Sequence, residues 1–128
     1  MEKGRMKMEW DQLQELAMAE IEAVLLELPE PLREEARELP VTFETRPNGG
    51  LQADGIEWDT LGLFTGAEFV DEGREVLPSQ IILFLENLWE MAEGVPEVFR
   101  EEIRTTFLHE LGHFSGLNED ELTERGLE

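Results

Sequence analysis

Both histidines of the chain fall within one short stretch, His109-Glu110-Leu111-Gly112-His113, followed by Phe114-Ser115-Gly116-Leu117-Asn118-Glu119-Asp120. The pattern is H-E-x-x-H-x-x-G-x-x-E-D. On a helix, residues four apart share a face one turn from each other, so two imidazoles at this spacing can hold one metal ion. Glu110 is placed to take a proton from a water on that metal. Gly116 suits a left-handed residue that stops the helix and turns the chain back. The chemistry implied is hydrolysis by a zinc-activated water, with one Zn2+ per chain. Glu110 is the general base, passing the proton on to a leaving amine.

No third histidine exists and there is no cysteine, so a carboxylate must complete the metal site. Glu119 and Asp120 are the candidates. Glu119 lies ten residues after His109, where related motifs place His or Asp, and this offset favours it. Asp120 stays open as the alternative, and either acid also suits the start of a last helix. With no tyrosine in the chain, oxyanion stabilisation falls to zinc, to backbone N–H groups or to an arginine such as Arg104.

These residues need a rigid helix beneath them. The segment from about 97 to 115 supplies it, with Pro96 near a favoured first position. Phe99, Ile103, Phe107, Leu111 and Phe114 line its buried side, while His109 and His113 project from another. Core packing and metal binding therefore do not compete for one face. Asn118 followed by Glu121 resembles a capping box for a short final helix.

Upstream, residues 9–28 carry a second amphipathic pattern, with Trp10, Leu13, Leu16, Ala17, Ile21, Val24, Leu25 and Leu28 at three and four spacing. Pro29 and Pro31 end it, and Leu32 to Leu39 add one or two turns. Val41 to Thr45 alternates and is β-branched, predicting a short strand. Arg46 to Gly50 is a turn, and residues 51–60 are polar and expected to be irregular. Leu61 to Gly66 predicts a strand whose glycine marks close backbone approach or an edge. Glu68 to Glu75 is expected as a loop or hairpin tip. Ile81 to Leu85 is a continuous apolar run, suiting a central strand covered on both faces. Leu88 to Ala92 predicts a single helical turn, broken at Gly94 and Pro96.

At 128 residues, 41% of them hydrophobic, the chain is expected to fold as one domain over 1–128. No apolar run approaches a membrane span, and no secretory signal is read at the N-terminus. The absence of cysteine excludes disulfides, thiolate metal ligands and cysteine nucleophiles. A cytoplasmic location is the expectation. The net charge of −21, from 31 acidic against 10 basic residues, repels nucleic acid and anionic membranes and attracts cations and basic peptides.

The motif and its surroundings resemble the zincin-like metallopeptidases of very small bacterial proteins, the minimal zincins. The resemblance covers about residues 40–127. It rests on the ordered set Leu61 to Gly66, Leu77 to Phe84 and Leu108 to Leu122. It implies an α+β, minimal zincin-like fold, with a small mixed sheet packed against an N-terminal helix and a C-terminal active-site helix. It also implies His109 and His113 as metal ligands and Glu110 as the base. At the third-ligand position the family tends to carry Asp, where this chain has Glu119 and then Asp120. Larger zincins are not expected. A thermolysin-type site needs a glutamate on a distant downstream helix, and a metzincin needs a third histidine and a later methionine, whereas the last methionine here is Met91.

The expected function is therefore a zinc metallopeptidase acting on peptides or unfolded protein, which could pair with the 61–66 strand beside the helix. An alternative is a non-catalytic, metal-stabilised module whose acidic surface docks a basic partner. A weaker one is a buffer or site for another divalent ion, since imidazole also suits copper and nickel.

Overall fold

The computed structural model describes residues 8–65 and 79–115, with side chains as far as Gly112. The expected loop at 68–75, Gly116, Glu119, Asp120 and the Asn118–Glu121 capping box lie outside the described residues.

The chain opens with helix α1, Trp10–Glu27. At its start the Glu9 N–H donates to Gln12 Oε1 at 3.0 Å, satisfying a donor that the helix leaves unpaired. Its buried stripe is Leu13, Ala17, Ile21 and Val24. Pro29 and Pro31 then interrupt the backbone, and helix α2 spans Glu30–Arg37. Arg33 of α2 reaches back, donating to the Leu28 carbonyl at 2.9 Å and the Leu26 carbonyl at 3.3 Å. The C-terminal end of α1 is thereby closed by a side chain from the next helix.

Three strands follow, β1 (Val41–Glu44), β2 (Gly62–Thr65) and β3 (Gln80–Phe84), in the spatial order β1-β3-β2. β1 runs parallel to β3, with Val41 opposite Ile81. β2 runs antiparallel to it, with Gly62 opposite Leu83 and Phe64 opposite Ile81. The sheet is mixed, as expected, and β3 is central. Its two faces are covered unequally, however: Ile81 and Leu83 are fully buried, while Ile82 between them is half-buried. The apolar run reflects a central position in the sheet more than equal covering of both faces.

Three local expectations are corrected. Residues 51–60 are not wholly irregular, because helix α3 covers Gly49–Ala53. Asn48 caps it, its Oδ1 accepting from the Leu51 N–H at 2.9 Å. Leu85 is not a strand residue. β1 ends at Glu44, opposite Phe84, and the next N–H but one, that of Glu86, turns to the Thr45 carbonyl at 3.2 Å. Helix α4, Leu85–Met91, begins there and replaces the single turn expected at 88–92. It stops at two left-handed residues, Glu93 (φ 54°) and Gly94 (φ 74°), and helix α5 starts at once with Pro96.

α5, Pro96–Ser115, is the spine of the molecule. It packs against β2, β3, α1 and α4. Phe99, Ile103, Phe107 and Leu111 are all buried to within 1% exposure, as their four-residue spacing requires. Trp89 of α4 meets Phe99 edge-on, with ring centroids 5.4 Å apart. Burying each such large side chain contributes about 1.5–3 kcal/mol, so the core anchors the helix that carries the motif. No helix among the described residues is long and apolar enough to cross a membrane.

Candidate active site

A cleft of about 320 Å³ opens between α5 and β2, the edge strand among the described residues. Its floor is one face of the helix: Glu102, Thr105, Thr106, His109 and Glu110. Its wall is Leu61 and Gly62. The helix period explains the set, since Thr105 and Glu102 precede His109 by four and seven residues and Thr106 precedes Glu110 by four. His109 and Glu110 are half-exposed, between the buried core face and solvent.

Gly62 is the hinge of this arrangement. A Cβ placed there would stand 2.6 Å from Thr106 Cγ2, 3.3 Å from Leu83 Cδ2 and 3.4 Å from Glu110 Cγ. Only a residue without a side chain lets β2 lie this close to the helix. The glycine read from the sequence as a mark of close backbone approach is therefore explained. The Phe84 N–H donates to the Leu61 carbonyl at 2.9 Å. By the alternation of an antiparallel pair, the N–H and C=O of Gly62 then point away from β3, toward the outer edge.

The segment leading into β2 is pinned from beneath. Asn87 of α4, only 4% exposed, donates to the carbonyls of Trp58 and Thr60 at 2.8 and 2.9 Å. Its own carbonyl accepts from Arg46 Nη1 at 2.7 Å. Arg46 also binds Glu86 through Nε at 3.2 Å. A buried amide thus fixes the backbone just before Leu61 and Gly62. The sequence signal was slight: one polar residue on the buried side of an apolar turn. Glu102, Thr105 and Thr106 were also passed over, although stepping back by helical turns from the motif reaches all three.

Arg104 does not face the cleft. It lies five residues before His109, about 140° around the helix, and binds Glu27 of α1 through both terminal nitrogens, with Nη1 also 3.5 Å from Glu20 Oε2. The Arg104 guanidinium holds the Glu27 carboxyl below its ordinary range, and Glu27 in turn raises Arg104. The suggestion that Arg104 stabilises an oxyanion is overturned by this pairing, which joins α5 to α1.

The donor chemistry of the cleft suits a cation. Among the described residues one imidazole and two carboxylates line it, and no lysine or arginine does. His113 lies in α5 one turn after His109, and its side chain, like Glu119 and Asp120, is outside the described side chains. Among the described residues no three His, Asp or Glu side chains converge as a metal cage.

Fold and motif together define an α+β protein whose H-E-x-x-H helix runs beneath the edge of a small mixed sheet. The sequence model of the zincin-like metallopeptidases matches residues 36–127. The match covers most of the chain, which belongs to that family. No curated protein matches it.

Proposed function

We propose that this chain is a zinc-dependent peptidase in which Glu110 is the general base. The observation that carries the reading is the position of the motif: His109 and Glu110 line a cleft directly beside the backbone of an edge strand. Zinc would be held by His109, His113 and either Glu119 or Asp120, and when bound it supplies an acidified water and a polarised scissile carbonyl.

The chain's own groups do the rest. A peptide laid along the outer edge of β2 can bond the N–H and C=O of Gly62, as an added strand. That brings the peptide to the strand whose Gly62 faces Glu110, where a carbon added at the glycine would lie 3.4 Å from Glu110 Cγ. Glu110 takes the proton of the attacking water and returns it to the leaving amine nitrogen. The Asn87 bonds to Trp58 and Thr60 keep the strand at fixed height above the helix, so the peptide and the base stay in register.

Metal content tests the reading first. Protein purified without added metal or an affinity tag should carry about one zinc per chain. His109→Ala and His113→Ala should lose it, and chelation should lower the melting temperature. Glu119→Gln and Asp120→Asn, compared for zinc affinity, identify the third ligand. A wild-type chain that takes up no zinc even when it is offered would refute the proposal.

A further inference from the structure

We infer that a second cavity, which shares Leu61 with the cleft, receives a basic side chain of the bound peptide. It has a volume of about 460 Å³. Leu61 lines both cavities, so the second lies one residue along the chain from Gly62. The link to cleavage rests on the peptidase reading; the binding itself does not.

Two features select the occupant. Trp58 and Met91 are 61% and 54% exposed, and both line this cavity. An exposed indole next to a flexible thioether and Leu61 suits a long aliphatic stem with a cation at its end. The charge balance agrees. Asp59 and Glu90 line the cavity along with Arg46, but the Arg46 guanidinium is already engaged by Glu86 at 3.2 Å, by Asn87 at 2.7 Å and by Glu90 at 3.9 Å. Among the described residues the lining thus carries two carboxylates, Asp59 and Glu90, against one guanidinium that Glu86 also pairs, a balance that favours lysine or arginine and disfavours an acidic residue. The Trp58 backbone is fixed by Asn87, so the platform is held in place before any ligand arrives.

The test uses the full, zinc-loaded chain carrying Glu110→Gln, so that a probe is bound but not cut. Blocked alanine peptides carrying a single arginine, norleucine or glutamate are titrated while the indole N–H resonances are followed by NMR, with Trp58 assigned by Trp58→Phe. The arginine peptide should shift the Trp58 signal saturably. Norleucine, an unbranched aliphatic stem without the charged head, should bind roughly tenfold more weakly, and glutamate should give no shift. Asp59→Asn should weaken the arginine peptide alone. Equal binding of norleucine and arginine, or no Trp58 shift with any probe, overturns the inference. Arginine-selective binding in a protein that cuts no peptide would leave the pocket standing and remove the peptidase. Cleavage indifferent to basic residues and to Trp58→Ala would do the reverse.

Discussion

Gly62 faces Glu110 across the cleft, where a single added carbon on the glycine would stand 3.4 Å from the glutamate's Cγ, an ordinary contact, but only 2.6 Å from Thr106 Cγ2. The strand and the motif helix thus leave no room for a side chain against Thr106, with the residue assigned as the base one helical turn further on. Gly62→Ala should force them apart, at a cost of about 1–3 kcal/mol from overpacking, seen as a lower midpoint in urea. Peptide cleavage should fall further than stability explains. Thr106→Ser removes the nearest methyl, so the double variant should recover part of both losses. Strict additivity in that cycle would show that the two positions are not coupled.

Asn87 offers a separate handle on the same strand. Asn87→Leu removes the donor for the Trp58 and Thr60 carbonyls and the acceptor for Arg46. Leaving buried polar groups unpaired should cost about 1–3 kcal/mol. Hydrogen exchange should quicken over residues 58–62 while α1 stays protected. Uniform quickening across the whole chain would mean that Asn87 supports the fold generally and does not locally position the strand.

The Arg104–Glu27 pair gives a pH dependence of known sign. The Glu27 carboxyl is lowered in the folded chain. Its contribution to stability is therefore present above the ordinary carboxylate pKa and lost as pH falls through the lowered folded value. Arg104, raised by its partners, adds no titration below the strongly alkaline range. Glu27→Gln should accordingly flatten part of the acid limb of a melting-temperature profile and leave the neutral plateau nearly unchanged, as expected for an exposed pair. Arg104→Gln should leave kcat intact. A large fall in kcat would restore Arg104 to the reaction.

Phe107 tests the helix itself. It is buried to 1% exposure on the core face of α5, two residues before His109. Phe107→Ala should cost about 3–5 kcal/mol, measured by urea unfolding, and bring down zinc affinity with the fold. Unchanged stability would mean that the core face of α5 has been misplaced.

Much of this was legible in the residues. Four-residue spacing of Phe99, Ile103, Phe107 and Leu111 marked the core face of α5, because a helix repeats its faces regularly. The run of apolar residues from Ile81 marked the central strand, and a glycine within a β-pattern marked close packing or an edge. What escaped was set by long-range contacts. Leu85 is as apolar as Leu83, and only the end of β1 opposite Phe84 turns the chain into a helix there. Asn87 reads as an ordinary helix residue until the carbonyls of Trp58 and Thr60 are brought to it from 29 and 27 positions away. Arg104 was open to a catalytic role only while the position of α1 was unknown. Gly62 could be flagged as a close approach, but not as an approach to Glu110.

The most direct test compares wild type with Glu110→Gln, measuring zinc content and cleavage of a defined peptide mixture on the same preparations. Equal zinc in both, with cleavage by the wild type that chelation abolishes and the variant lacks, is the predicted result. Equal zinc with full cleavage by Glu110→Gln would contradict the assignment of Glu110 as the base.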